Sequence, residues 1–480
     1  MMHNFRHRKL AMALAGLFVL SAAGNAGQVA RMPNMLPFPN PTGAAATFST
    51  SGVIALDGPF FQSLGSNGRG CVSCHQPGEG WTVTPRHLQE RFVATGGTDP
   101  IFRTNDGSNS PLADVSTVEA RRKAYSMLLD KGLIRVGIGI PPNAEFELIA
   151  VDDPYGFASA AELSLFRRPL PTTNLTFLST LMWDGRETFK DAASRDCILG
   201  TTNCFATLHF DLAHQSNSAT VGHAEAANAL TTEQREAIVA FETTLFTAQV
   251  FDDESGNLTA RHAQGGPEHL ARQPFYFGIN DVVSGDYRTG AAFDRNVFRL
   301  FASWGPGRDA DEQDNDARGR KAARQAVARG EVLFNSKAIR ITGVKGLNDD
   351  LGVETLPGTC TTCHDTPSAG NHSIPAPLDI GLTDASRRTP DLPLYTLRNK
   401  QAPEQIIQTT DPGRALITGK WRDIGRLKGP ILRALAARAP YFHNGFAKDL
   451  DAAVDFYNQR FGIGLTDEEH EDLVAFLLTL

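Results

Sequence analysis

The chain has 480 residues, 41% of them hydrophobic and 21% charged, with a formal net charge of −7. That length is too great for one ordinary core and implies two to four domains of ordinary soluble composition. The negative balance excludes a generally basic surface, so nucleic-acid binding has no support, although a local patch for a charged redox partner would not show in such a sum.

Arg6, Arg8 and Lys9 form a basic start, Leu10 to Ala23 an apolar run, and Gly24-Asn25-Ala26 a small-residue cleavage site. Residues 1–26 therefore read as an export signal peptide. The apolar run falls short of the roughly 20 residues a span needs; an uncleaved anchor is the alternative. No later stretch is long and apolar enough for a membrane helix, so the mature protein is expected to be soluble and periplasmic. Residues 27–50, with Pro33, Pro37, Pro39 and Pro41, read as an extended arm.

An N-terminal domain is expected over 51–250. Inside it Cys197 and Cys204 are close enough to close a small disulfide loop in an oxidising compartment, free thiols being the alternative. It ends on a helix in which Thr231 and Gln234 form a capping box and Ile238, Val239, Phe241 and Leu245 recur at helical spacing. Residues 251–316 read as a linker or insert, with the aromatic cluster Phe275-Tyr276-Phe277. The acidic residues Asp309, Asp311, Glu312, Asp314 and Asp316 near its end are a solvated run or, more sharply, a docking patch for a basic partner. A C-terminal domain over 317–480 opens on a helix near 317–334. Its last helix starts with a second capping box, Thr466 and Glu469, and buries Leu473, Val474, Phe476 and Leu477. Strand-like runs are short, so the fold is expected to be mostly α, with two domains meeting at a shared interface.

Two motifs carry chemistry: Cys71-Val72-Ser73-Cys74-His75 and Cys360-Thr361-Thr362-Cys363-His364. C-x-x-C-H is the attachment signature of c-type haem: two thiols add across the porphyrin vinyl groups, and the adjacent His reaches the iron as proximal ligand. A thioredoxin-like redox pair or half a zinc site would be the alternative for one motif alone. Two full motifs in an exported chain favour two covalently bound haem c groups, and a zinc site would want its ligands at compact spacing.

With these motifs, Met182-Trp183-Asp184-Gly185-Arg186 and the stretch from Lys428-Gly429-Pro430 through Ala439-Pro440-Tyr441-Phe442-His443-Asn444-Gly445 to Ala453-Val454-Asp455-Phe456-Tyr457, the chain resembles the bacterial dihaem cytochrome c peroxidases and their MauG-type relatives. The resemblance implies two α-helical cytochrome-c-like domains, hydrogen peroxide reduced at the N-terminal haem, and the C-terminal haem serving as electron relay. It places Tyr457 at the second axial position of the C-terminal haem, as in MauG-type proteins, where the peroxidases place Met. All seven Met lie between positions 1 and 182, so none can serve there from the C-terminal domain. Met ligation raises a haem potential, whereas tyrosinate favours the oxidised iron. His372, Tyr395, Tyr441, His443 or an open site are the alternatives. Trp183 matches the family residue that relays electrons between the haems; a packed core Trp is the plain alternative.

The resemblance also implies a carboxylate with a Gln ten residues before it on the distal side of the first haem. Gln215 and Glu225 have that spacing and His223 is a rival base for moving the peroxide proton; ordinary residues on a surface helix are the alternative. A calcium ion between the domains would use the carbonyls of Arg438 and Pro440 and an Asn side chain from the stretch 167–174. That side-chain ligand is not clearly retained, and no oxygen cage can be assembled from sequence. Three functions compete. The first is a MauG-type oxidase of a partner protein, and the second a peroxidase fed by a small cytochrome or cupredoxin. The third is a pure electron carrier, which would need a sixth ligand such as Met127 or Met182 on the first haem.

Overall fold

The computed structural model describes residues 30–188, 208–306 and 315–480. The export segment, Cys197, Cys204 and the acidic residues at 309–314 lie outside them. Among the described residues helix outweighs strand, as the sequence predicts, and strands run from two to eight residues. No described helix is long and apolar enough to cross a membrane.

The arm is drawn into sheets. Arg31–Pro33 pairs antiparallel with Val53–Ala55, and Pro37–Asn40 and Gly43–Ser49 stack in order against Leu245–Asp252. Thr47 and Thr247 face each other across that ladder, their hydroxyls 2.9 Å apart, a cross-strand pair of the kind that fixes register. This pairing truncates the helix expected to continue through Leu245. The helix is Thr232–Thr243, and Leu245 opens the strand. Helical spacing is a local signal; the partner strand some two hundred residues away overrides it. The capping box forms as predicted: Gln234 N–H donates to Thr231 Oγ1 at 3.2 Å, and Thr231 N–H to Gln234 Oε1 at 2.9 Å.

Apolar side chains gather around each motif. Phe60, Trp81, Ile238 and Leu245 pack beside Cys71. Phe298, Phe301, Trp304, Phe334 and Phe476 pack beside Cys360, each such aromatic contributing about 1.5–3 kcal/mol by burial. Phe298, Phe301 and Trp304 come from the stretch read as linker or insert, so part of it is core. A third core joins Phe146, Leu163 and Leu165 to Tyr395 and Leu397, because strand Phe146–Asp152 pairs with Leu394–Asn399. Chain from either side of the second motif thus shares one sheet.

The helices Asn315–Ser336 and Asp467–Leu478 back the second motif. They approach so closely at Gly330 that a Cβ there would sit 1.9 Å from the Asp472 carbonyl oxygen. Arg329 clamps Asp472 bidentately at 2.6 and 2.7 Å. The Thr466–Glu469 box closes at 3.2 and 3.0 Å.

Candidate functional site

Both motifs adopt the same tight turn. Cys71–Ser73 and Cys360–Thr362 are single 3-10 turns, with His75 N–H donating to Cys71 O at 3.1 Å and His364 N–H to Cys360 O at 3.2 Å. Ser73 Oγ accepts from Gly70 N–H at 3.2 Å, and Thr362 Oγ1 from Thr359 N–H at 2.9 Å. The x-x residues thereby brace the loop that presents both thiols and the imidazole to one side.

Each His is held in one tautomer. His75 Nδ1–H donates to the Trp81 carbonyl at 3.0 Å, and His364 Nδ1–H to the Gly370 carbonyl at 2.7 Å. A carbonyl only accepts, so Nδ1 carries the proton and Nε2 is left as the electron-pair donor, the arrangement a metal-bound His requires. Burial pushes His75 down to about 4 and lowers His364, keeping both rings neutral. Burial also pushes Cys71, Cys360 and Cys363 up to about 12 and raises Cys74. Protonated thiols in apolar surroundings suit thioether formation. No group of three or more His, Cys, Asp or Glu among the described residues is placed to hold a metal ion.

A cavity of about 180 Å³ opens over the first motif, lined by Cys71, Cys74 and His75 together with Gln215, His223 and Met182. Glu225 is not in it. The helix Leu208–His223 ends just before it, and Glu225, at φ +54°, is exposed, its carbonyl accepting from Ser66 Oγ at 2.9 Å. The ten-residue spacing from Gln215 thus brings one member of the pair into the cavity and leaves the other on the surface. His223 is inside and oriented: its Nδ1–H donates to Asp106 Oδ2, which leaves Nε2 as the basic nitrogen. Asp106 also lines the cavity and accepts from Arg69 Nη1 at 2.5 Å. Burial alone would raise the Asp106 carboxyl, but His223 and the Arg69 guanidinium hold it below its ordinary value.

Sequence reasoning missed Asp106 and Glu242. Glu242 lines the same cavity from helix Thr232–Thr243, is buried, and has no partner for Oε2. Burial pushes it up to about 8. A signal was present, because Glu242 continues the apolar stripe of Ile238 and Val239 at i+4 and i+3.

A second cavity, of about 230 Å³, opens over the second motif. Cys360, Cys363, His364 and Tyr457 line it, as do His372, Tyr441 and His443. The tyrosines differ in what their hydroxyls do. Tyr395 lies in the third core, donating to Ser164 O at 2.7 Å, and Tyr441 donates to Leu435 O at 2.8 Å. Tyr457 has no hydrogen-bond partner among the described residues. Its ring sits among Phe442, Phe456 and Phe461. Burial, with the Cys363 and Cys360 thiols nearby, raises its phenol. His372 and His443 are held neutral by burial, at about 3 and about 4. Met127 is buried away from both cavities.

The cavities share a wall that includes Trp183. Its indole N–H donates to Arg168 O at 2.8 Å, and its carbonyl accepts from Lys428 N–H at 2.9 Å. The ring meets His443 edge-on, centroids 6.2 Å apart. Two of the three expected calcium donors are otherwise engaged. Asn174 exchanges two hydrogen bonds of 2.9 Å with the Thr247 backbone, and Arg438 O accepts from Arg168 Nη2 at 3.1 Å. A guanidinium on one of the expected carbonyls does not fit a calcium site.

No protein-family model matches the chain. It is 33% identical over 142 residues to a cytochrome-c peroxidase of Denitromonas iodatirespirans, a match covering 28% of this chain and 38% of the relative. A second cytochrome-c peroxidase, from Pseudomonas sp. (strain SCT), is 29% identical over 171 residues, 32% of this chain and 39% of the relative. The chain thus spans about two fifths of the length of these relatives. A solved MauG-like protein associated with microbial copper homeostasis aligns over 88% of this chain and 87% of its own at 15% identity and a TM-score of 0.35, too loose to carry an inference.

Proposed function

We infer that the protein is an exported, periplasmic, peroxide-dependent dihaem oxidoreductase. One observation carries the reading. Two cavities, each lined by the thiols and imidazole of a C-x-x-C-H turn, share a wall containing an oxidisable Trp. Cys71 and Cys74 would hold one haem c, with His75 as proximal ligand; Cys360 and Cys363 would hold the other, with His364. When bound, haem supplies the redox chemistry, and the protein's part is ligation, burial and proton delivery.

In the first cavity His223 takes the peroxide proton on Nε2 and returns it to the departing oxygen, with Asp106 fixing the ring and supporting its charge. Gln215 offers an amide to hold the peroxide. Glu225 has no part. In the second cavity Tyr457 would help His364 to hold the group, its hydroxyl having no other partner among the described residues; a bound metal would be needed to displace its raised proton. Trp183, in the shared wall, would supply an oxidisable ring between the two groups. The absence of any Met in the C-terminal half favours a MauG-like oxidase of a partner protein over a peroxidase fed by a small cytochrome or cupredoxin. Met182 lines the first cavity, and this one observation favours the third reading, a pure electron carrier in which Met182 would be a further ligand.

The test is optical. One equivalent of hydrogen peroxide is added to the as-isolated ferric protein. A response of both haems, with a long-lived oxidised species, supports the oxidase. Reaction only after one haem is pre-reduced indicates a peroxidase and removes Tyr457 as ligand. No reaction in either state indicates a carrier.

A further inference from the structure

Among the described residues the only buried carboxylate oxygen without a hydrogen-bond partner is Glu242 Oε2. The residue is 3% exposed and lines the first cavity, with Cys71, from helix Thr232–Thr243. The other buried glutamates hold the fold together. Glu331 accepts from the Leu300 and Phe301 backbone, Glu79 from Thr84 N–H at 3.1 Å, and Glu187 pairs with His214 at 2.5 Å. A carboxyl buried without donors is unfavourable, and perturbed groups of this kind cluster where a protein does chemistry. No ion pair relieves it. Its helix packs chiefly against helix Leu208–His223 and the turns Pro59–Phe61 and Leu175–Phe177, and the turns carry no titratable group. On the facing helix His209 pairs with Glu236 at 2.9 Å, His214 with Glu187 and His223 with Asp106, while Asp211 is buried. Glu233, Arg235 and Glu236 are the other charges of its own helix. Burial, with none of these offsetting it, pushes the Glu242 carboxyl up to about 8.

We propose that Glu242 is a redox-linked proton site: it takes up a proton when the first haem accepts an electron and releases it when that electron leaves. The proposal rests on the haem reading above and adds a role for a side chain outside the peroxide-handling set. Its position supports this. Asp106 acts on Cys74 and His223 on His75, whereas Glu242 acts on Cys71. Glu242 thus stands at the Cys71 side of the cavity, away from the base that moves the peroxide proton. An electron added to a group attached through Cys71 disfavours a neighbouring buried carboxylate and favours the neutral acid. The step balances. One electron from a reductant and one proton from water convert the oxidised haem and the Glu242 carboxylate into the reduced haem and the Glu242 carboxylic acid. Oxidation reverses it. The buried charge then stays nearly constant as electrons pass, which avoids leaving an uncompensated charge out of water.

The experiment is an equilibrium redox titration of the full holoprotein at a series of pH values on either side of about 8, with haem content measured alongside. In wild type the midpoint potential of the first haem should fall as pH rises through this window. The slope should reach up to about 59 mV per pH unit, the one-electron value for a tenfold change in proton concentration. Glu242→Gln keeps the side chain's shape and removes its titration. With two haems retained, that slope should vanish in the variant while the second haem keeps its wild-type behaviour. A first-haem midpoint independent of pH in wild type, or a slope that Glu242→Gln leaves intact, overturns the proposal. Redox-difference infrared spectra give an independent arm. A protonated-carboxyl C=O band gained on reduction, shifted in D2O and absent in Glu242→Gln, supports the proposal. A wild-type spectrum without such a band overturns it. Protein purified without covalent haem would instead sink the haem reading itself.

Discussion

The two cavities begin alike and end differently. Each sits on the same 3-10 turn, with an imidazole locked by a backbone carbonyl and a pair of protonated thiols. Facing that common base, the first cavity offers Gln215, His223, Asp106 and Arg69, groups that can hold and move protons. The second offers Tyr457 within an aromatic cluster. In the reading proposed here, local sequence would build the attachment and the rest of the lining would assign the role: groups that move protons suit a small protic substrate, and a tyrosine among aromatic rings suits electron storage.

The largest test removes the common base from one half at a time. Replacing Cys71 and Cys74 together by Ser should halve covalent haem, measured by haem staining and pyridine haemochrome, and abolish the peroxide response. Replacing Cys360 and Cys363 should also halve it, leaving peroxide binding at the first site but no spectral change at the second.

The next test separates the polar wall from its surroundings. His223→Ala should slow the peroxide reaction by roughly 10²–10⁴-fold in stopped-flow absorbance, the range for a lost general base. Glu225→Ala, on the surface, should stay within about twofold of wild type. Asp106→Asn should fall between them. Equal effects at His223 and Glu225 would break the assignment.

Each half also buries a glutamate that burial raises, in a different place. Glu242 lines the first cavity, whereas Glu331 lies behind the second, accepting from Leu300 N–H at 2.5 Å and Phe301 N–H at 3.1 Å. Burial raises Glu331 from 4.5 to about 7, against those two hydrogen bonds. Its stabilising contribution is therefore complete below pH 4.5 and is lost as pH rises through 7. The rise is worth about 3 kcal/mol at 1.36 kcal/mol per pH unit. Glu331→Gln should unfold at a temperature that gains on wild type as pH goes from 5 to 8, read by circular dichroism. A difference independent of pH would show that the group does not titrate as inferred.

The smallest effect should be the same in both halves. Thr231→Ala and Thr466→Ala each remove one capping box and should each cost about 1 kcal/mol in denaturant unfolding. A much larger loss at one would show that its helix end does more than cap.

Much of the site was legible because its signals are short in sequence. The two C-x-x-C-H turns, both capping boxes and the helical stripes are set by residues within a few positions of one another. The placement of Trp183 and Tyr457 followed from motif resemblance, and both line the cavities. The pair Gln215 and Glu225 was misleading because equal spacing says nothing about where a helix stops. His223 is its last residue, and the turn that follows carries Glu225 outward.

By itself, then, the sequence determined the two C-x-x-C-H turns, the helix starts and the mostly α character, all interactions of near neighbours. Only the tertiary structure decided that Leu245 is strand, that Phe298 and Trp304 are core, that Asp106 orients His223, and that Arg168, Lys428 and Arg438 meet at one wall. Asp106 and His223 are more than a hundred residues apart, and Arg168 and Arg438 more than two hundred and fifty. Burial and charge compensation act through space, so no local pattern encodes which distant side chains will share a cavity.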